Sequence, residues 1–221
     1  SVSTDSTYKK DVEKAANFVA DYLKELGFDN VEVMKTNGHP LVFGEWLKAG
    51  KDAPTVLFYG HYDVQPAEPL DQWKSDPFKP EIRNGRLYAR GSSDDKGQVF
   101  MHLAVFEAYI KTLGSLPINV KVCIEGEEEI GSASLYSILK EQKEKFSADF
   151  SVISDSGMVE TGQPTIVYGL KGFTGLEFTI KGPDFDLHSG MYGGAVKNPA
   201  MAMAHLLASL KNEDEVVTVE G

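Results

Sequence analysis

Apolar and polar residues follow two spacings along the first 155 positions, and these predict helices and strands in turn. From Tyr8 to Leu26 apolar residues recur every three or four positions, which is typical of an amphipathic helix, and Gly27 follows where a left-handed cap can end it. Further helices are predicted over Lys96 to Leu113 and over Ser132 to Lys145. Short apolar runs predict the strands, which are Val31 to Met34, Leu41 to Trp46, Val56 to Tyr59, Leu87 to Ala89, Ile118 to Ile124 and a run ending at Ile153.

This alternation of strands and helices predicts an α/β fold, with a mostly parallel sheet and helices on both of its faces. The pattern changes after Asp155. We expect a domain boundary near Gly169, so that residues 1–169 form one domain and residues 170–221 begin a small α+β domain that is too short to close a sheet. The elements predicted beyond Asp155 are strands at Pro164 to Tyr168 and at Phe173 to Ile180 and a helix from Pro199 to Leu210.

Composition and charge exclude several classes of function. The chain has 33 acidic and 22 basic residues and a net charge of −11, so it would repel a polyanion such as nucleic acid. Its single cysteine, Cys123, lies in an apolar run, where a buried and unreactive thiol is expected, and this agrees with a reducing cytoplasm. No apolar run is long enough for a membrane helix. The sequence predicts a cytoplasmic protein that binds neither nucleic acid nor membrane.

Ionisable side chains follow three of the predicted strands at the point where each strand ends. His61 and Asp63 follow one strand. The triplet Glu127 to Glu129 follows a second strand, and Asp155 follows a third. Loops that leave neighbouring strands of an open α/β sheet meet at one edge, so we expect these side chains to converge. Imidazole and carboxylate groups are ligands of divalent metals, and the sequence therefore predicts a metal site.

Each of these clusters alone has a simpler interpretation. A single His-x-Asp pair is weak support for a metal site, the pair Asp94 and Asp95 at a predicted helix start is typical of a solvated cap, and the acidic triplet could be an exposed turn. Their recurrence at strand ends favours a site. Carboxylates gathered in one crevice repel each other, and two divalent cations would relieve that repulsion and leave one carboxylate free to move protons.

Five motifs follow one another along the chain: Gly60 to Ala67, Gly91 to Gly97, Glu125 to Ser132, Ile153 to Asp155 and Asp186 to Gly194. In this order they resemble the motifs of the dinuclear zinc dipeptidase, aminoacylase and desuccinylase family. The resemblance covers essentially the whole chain. The first and last motifs are most similar to those of the carnosinase and non-specific dipeptidase branch.

The resemblance implies two divalent metal ions and a ligand set for them. Asp94 would bridge the ions, His61 and Asp155 would bind one of them, and Glu129 would bind the other. The ions would be zinc, although manganese and cobalt accept the same kinds of ligand. The metallopeptidase domain would then occupy residues 1–169.

The resemblance also implies roles for residues that do not bind metal. Asp63 would orient His61, and Glu128 would be the general base that activates water. His188 would be a lid histidine that stabilises the oxyanion, often from the partner subunit, so residues 170–221 would belong to a lid through which a homodimer forms. The remaining histidines are not expected to bind metal: His39, His102 and His205.

The function implied by the resemblance is metal-dependent hydrolysis of the amide bond of dipeptides or small peptide-like substrates. Two alternatives remain open at this point: an N-acyl amino acid deacylase or desuccinylase, and a non-catalytic relative or fragment that acts in subunit association. The family begins with a helix upstream of the segment Ser1 to Ser3, and it has a further histidine ligand near its C-terminus, whereas no histidine follows His205 here. We therefore expect the 221-residue chain to be an excerpt of a longer enzyme, inactive alone and prone to associate.

Overall fold

The computed structural model describes residues 1–219, which divide into one unit over Ser1–Val167 and a second unit from Tyr168 onward. The α-helices are α1 (Lys9–Glu25), α2 (Lys96–Leu113), α3 (Leu135–Glu141), α4 (Lys143–Phe146), α5 (Ser189–Tyr192) and α6 (Pro199–Ala208). The strands are β1 (Asp29–Met34), β2 (Leu41–Trp46), β3 (Thr55–His61), β4 (Glu81–Arg83), β5 (Arg86–Tyr88), β6 (Asn119–Glu125) and β7 (Phe150–Ile153). Single 3-10 turns occur at Ser6–Tyr8, Leu70–Gln72 and Glu128–Ile130.

The first unit is built on a five-stranded sheet with the order β1-β2-β6-β3-β7, beside a separate β4-β5 hairpin. Strand β3 pairs in parallel with both β6 and β7, whereas β2 pairs antiparallel with both β1 and β6. The α/β class is confirmed, and the sheet is mixed. The antiparallel β1-β2 pair follows from its short connection, since a parallel crossover needs about a dozen residues or more.

Helices pack on both faces of this sheet, as the sequence predicted. Alternate residues of a strand point to opposite faces. Val42 and Trp46 of β2 pack in the larger core cluster with the apolar sides of α1 and α2, while Leu41 and Phe43 pack in a second cluster with Ile138 of α3. The single cysteine belongs to the second cluster, and burial raises the pKa of its thiol to about 12.

A buried lysine in β6 explains how a charge is tolerated inside an apolar strand. The Lys121 side chain is 8% exposed, and its ammonium group donates hydrogen bonds to the carbonyl oxygens of Lys145 at 2.7 Å and of Ser147 at 2.8 Å. These carbonyls lie at the C-terminal end of α4, where a helix leaves its last carbonyl groups without helical partners. Lys121 therefore fixes α4 against the sheet.

The helix predicted over Ser132 to Lys145 is broken in the structure. A 3-10 turn at Glu128–Ile130 precedes it, and α3 and α4 meet at Gln142, whose backbone leaves the helical region. The hairpin strand predicted at Leu87 to Ala89 is β5, shifted by one residue at each end. No helix within residues 1–219 is long and apolar enough to cross a bilayer.

The predicted strands at Pro164 to Tyr168 and at Phe173 to Ile180 are wrong for the described structure, where these residues are neither helix nor strand. Their apolar side chains are largely exposed, and Phe173 is 94% exposed. A strand is stable only beside a partner, and in the part of the chain described none pairs with these segments. The second unit contains α5 and α6, and α6 begins where the Asn198 side chain accepts a hydrogen bond from the Ala200 amide at 2.8 Å.

Candidate metal centre

The registers of three neighbouring strands bring their ends to one level. His61 is the last residue of β3 and lies opposite Glu125 of β6. Tyr59 lies opposite Ile153, the last residue of β7. His61 follows Tyr59 by the same number of positions as Asp155 follows Ile153, so His61 and Asp155 lie at the same level. The parallel directions of β6, β3 and β7 therefore collect the residues that follow them at a single edge of the sheet.

Carboxylate oxygens from three loops surround the Nε2 atom of His61. The nearest belongs to Asp94, whose Oδ1 lies 3.0 Å away. Asp155 Oδ2 lies at 3.7 Å and Glu128 Oε2 at 3.9 Å, and one ligand atom from each of His61, Glu128 and Asp155 lies within 4.8 Å of the others. The structure thus brings together three of the predicted metal ligands and the predicted base.

This donor set fits a divalent metal ion. Bonds of about 2.0–2.2 Å to a tetrahedral zinc ion place its ligand atoms about 3.3–3.6 Å apart. The separations of 3.0, 3.7 and 3.9 Å around His61 Nε2 bracket that range. The side chains of Asp94 and Asp155 are 61% and 31% exposed, so an ion can enter from solvent.

Asp63 holds the opposite nitrogen of the same imidazole. Both Asp63 Oδ1, at 3.2 Å, and the Asp63 carbonyl oxygen, at 3.1 Å, lie within reach of His61 Nδ1, and both residues are fully buried. A ring that donates from Nδ1 presents the lone pair of Nε2 outward, as a metal ligand requires. This is the geometry that orientation of His61 by Asp63 needs.

Charge couples these two residues. Burial acts to lower the pKa of His61, but the hydrogen bond and attraction from Asp63, with Asp95 and Glu128, outweigh it and raise the pKa to about 9. Burial acts to raise the pKa of Asp63, but its hydrogen bond and attraction to His61 hold the pKa below the usual range. Each of the two residues thus shifts the pKa of the other in the direction that favours opposite charges on them.

Asp95 supports the centre in a way that the sequence did not reveal. Its side chain is 1% exposed, and Oδ2 accepts a hydrogen bond from the backbone amide of His61 at 3.1 Å. Burial raises the pKa of Asp95 to about 6. A Cβ on Gly60 would lie 2.6 Å from this carboxylate, so glycine is required where β3 approaches Asp95. The peptide bond between Asp94 and Asp95 is cis.

The adjacent acids Glu128 and Glu129 point to different places. Glu128 faces His61, and burial, reinforced by the negative charges of Glu129 and Asp155, raises its pKa. Glu129 instead accepts hydrogen bonds from Gln65, from the backbone amide at 3.1 Å and from the side-chain amide at 2.9 Å. Glu129 is not part of the group around His61, and its assignment as a ligand stays a prediction.

Glu127 fixes the turn on which Glu128 lies. Its side chain is 4% exposed and accepts hydrogen bonds from the backbone amides of His39 at 2.8 Å and Ser134 at 2.9 Å. Asp63 Oδ2 accepts a further bond from the Glu129 amide at 3.2 Å. The buried carboxylates of Glu127 and Asp63 thus hold the turn through hydrogen bonds to backbone amides. The sequence of the acidic triplet does not by itself distinguish Glu127 from Glu128 and Glu129.

Replacing Gly38 with alanine tests this role of Glu127. A Cβ at Gly38 would lie 1.6 Å from Glu127 Oε1, so Gly38→Ala must push the carboxylate off the His39 amide. We expect the free energy of unfolding to fall by about 1–3 kcal/mol, the cost of leaving a buried polar group unpaired. Urea unfolding followed by circular dichroism measures it. Gly157→Ala, where a Cβ meets nothing within 4 Å, is the control, and equal midpoints for both variants would contradict this role of Glu127.

The remaining histidines have local explanations or lie in the second unit. His39 Nε2 lies 3.0 Å from the Ser3 carbonyl oxygen, and His102 Nε2 lies 2.7 Å from Ser154 Oγ. His188 caps α5, where its Nδ1 accepts a hydrogen bond from the Gly190 amide at 3.1 Å. The oxyanion role of His188 stays a prediction.

Comparison with known proteins gives a consistent result. Residues 57–220 match peptidase family M20/M25/M40. The chain is 36% identical to the Cys-Gly metallodipeptidase DUG1 of Candida albicans, covering 100% of this chain and 49% of that protein, and 36% identical to the human Beta-Ala-His dipeptidase, covering 82% and 36%. The solved structure of the di-peptidase Dug1p from Saccharomyces cerevisiae superposes with a TM-score of 0.79 at 30% identity, over 100% of this chain and 49% of that one.

These matches show the family and the fold of this chain. The chain spans about half the length of the first curated relatives it matches. The strands that carry the centre fall within the matched segment, from Leu57 of β3 onward. By its sequence match and its fold, the chain belongs to peptidase family M20/M25/M40.

Proposed function

We propose that this protein is a metal-dependent hydrolase that cleaves the amide bond of dipeptides or small peptide-like substrates. The observation that carries the proposal is the group formed by His61, Glu128 and Asp155 at the common edge of three parallel strands, with Asp94 beside His61. Membership of a peptidase family supports the reaction class. A second ion would be held through Asp94 and Glu129.

The chemistry needs a cation and a proton carrier. Divalent cations, when bound, lower the pKa of water and polarise the carbonyl of the scissile amide. His61 offers Nε2 because Asp63 occupies its Nδ1 side. Asp94 and Asp155 offer carboxylate oxygens toward the same point and balance the charge of the cations.

Glu128 is proposed to move the proton. Its side chain is 38% exposed, so it reaches both the cluster and solvent, and its pKa is raised above the usual glutamate range. A carboxyl group with a raised pKa is a stronger base, and a pKa closer to the working pH suits a group that first takes a proton and then returns it. Glu128 would take a proton from the attacking water and deliver it to the leaving amine. His188 would stabilise the oxyanion.

The proposal includes the domain roles. Residues 1–169 would form the catalytic domain, and residues 170–221 would form part of a lid through which a homodimer assembles in the cytoplasm. Exposed apolar side chains in the second unit, such as Phe173 at 94% and Leu176 at 71%, support an association surface.

Sedimentation of the full-length protein should give a dimer, and replacing Phe173 and Leu176 by serine should favour the monomer.

A substrate panel tests the proposed reaction. Cys-Gly and β-Ala-His, the dipeptides named for two relatives, would be incubated with the full-length protein and zinc, manganese or cobalt, beside N-acetyl and N-succinyl amino acids. We expect release of free amino acids from the dipeptides, loss of activity with a chelator, and recovery with added metal. Turnover of the N-acyl compounds alone would make the protein a deacylase, and no turnover with metal bound would favour a non-catalytic relative.

A further inference from the structure

Two polar side chains on successive turns of α2 contact the segment that carries Asp155. Gln98 is 7% exposed, and its Nε2 donates to the carbonyl oxygens of Ser93 at 2.6 Å and of Ser156 at 3.3 Å. Ser93 precedes Asp94, and Ser156 follows Asp155. A single side-chain amide thus joins the two loops from which Asp94 and Asp155 arise.

His102 holds the same segment from the other side of Asp155. It follows Gln98 by one turn of α2, which places both side chains on one face of the helix. Its Nε2 lies 2.7 Å from Ser154 Oγ, and its ring packs against Phe58 of β3 with 4.7 Å between the ring centroids. Residues 154 and 156 are therefore both tied to α2, while Asp155 between them remains directed at His61.

We propose that Gln98, assisted by His102, is a positioning residue that sets the distance between Asp94 and Asp155 for metal binding. This inference rests on the proposed function. Asp155 follows β7, which ends the strand order of the sheet, and the residues just after β7 belong to no helix or strand. The α2 contacts supply the restraint that regular structure does not supply there.

The chemistry of a glutamine suits this position. Its side-chain amide has two N–H donors, which match the two carbonyl oxygens that it reaches. It carries no charge, so it neither adds to the negative charge of Asp94, Glu128 and Asp155 nor competes with a cation for them. Partners that orient metal ligands in this way change metal affinity by about 10–100-fold when they are removed.

Metal affinity of the full-length protein tests the inference. Gln98→Met keeps the side-chain length and removes both donors, and we expect zinc affinity, measured by competition with a chromophoric chelator, to fall about 10–100-fold. The absorption bands of the cobalt-loaded protein should also change. Gln98→Glu places carboxylate oxygens opposite both carbonyl oxygens, and the repulsion between them should lower zinc affinity further. Gln163→Met, at an exposed position, should match the wild type.

The possible results separate this inference from the proposed function. A wild-type protein that binds no divalent metal would overturn the proposed function. If the wild type binds metal, and Gln98→Met binds it with the same affinity and the same cobalt spectrum, only the inference is overturned. This holds even if Gln98→Met lowers the urea midpoint. Ser154→Ala, which removes only the His102 contact, decides the matter if Gln98→Met does not fold: a loss of zinc affinity supports the inference, and unchanged affinity overturns it.

Discussion

Replacing Glu128 with glutamine should lower kcat by about 10²–10⁴-fold while the metal content stays that of the wild type. Glutamine has nearly the same shape as glutamate but cannot take a proton from water. The turn itself should remain, because Glu127 and Asp63 hold it through backbone amides of other residues. Dipeptide hydrolysis and metal analysis of the same full-length preparation provide the measurement.

The same measurement decides whether Glu128 is a general base or a metal ligand. Glu128 Oε2 lies 3.9 Å from His61 Nε2, close enough for a ligand as well as for a base. If Glu128→Gln loses metal together with activity, Glu128 binds metal and the proposed role is wrong. Glu141→Gln, at an exposed position in α3, should leave kcat and metal content unchanged.

Replacing Asp94 with alanine should abolish activity and lower metal affinity by more than 100-fold. Its Oδ1 is the carboxylate oxygen nearest to His61 Nε2 in the group, at 3.0 Å, and the proposed bridge would serve both ions. Removing a residue that hydrogen-bonds to a metal ligand changes metal affinity by about 10–100-fold, so loss of a bridging ligand should exceed that range. Titration with zinc, followed by calorimetry, measures the change.

The Asp94 variant has a useful control in Asp52→Ala, which removes the same group from an exposed loop. Folding should survive in both variants, because the Asp94 side chain is 61% exposed and the buried Asp95 is untouched. Zinc affinity of Asp94→Ala equal to that of Asp52→Ala would remove Asp94 from the site and leave His61, Glu128 and Asp155 as the candidate ligands.

The sequence was most informative where strands are buried on both faces. The runs at Leu41 to Trp46, Val56 to Tyr59 and Ile118 to Ile124 predicted β2, β3 and β6 to within two residues at each end. Short, mainly apolar runs that are rich in β-branched and aromatic residues are typical of strands buried in a sheet. His61 ends β3, and Asp155 follows the run ending at Ile153, which is β7, so the convergence of these two side chains could also be predicted.

Features that depend on distant partners could not be predicted in this way. The acidic triplet gives no local sign that Glu127 is buried and bonded while Glu128 faces His61, because His39 and Ser134 determine that difference. The segment from Phe173 to Ile180 alternates like a strand, but pairing requires a neighbour that alternation cannot supply. Gln98 has the appearance of an ordinary polar helix residue until Ser93 and Ser156 are seen beside it.

The place of β3 between β6 and β7 has a consequence for how the metal centre forms during folding. Its neighbours β6 and β7 follow it in sequence only after α2 and after the α3-α4 region, so both pairings close long loops. Long-range parallel pairing is slow because loop entropy is lost before contacts compensate for it. Helix α2 can form early without completing the metal centre, because His61 and Asp155 meet only when β7 has paired with β3. In a refolding experiment, capture of zinc should therefore lag behind helix formation and mark completion of the sheet.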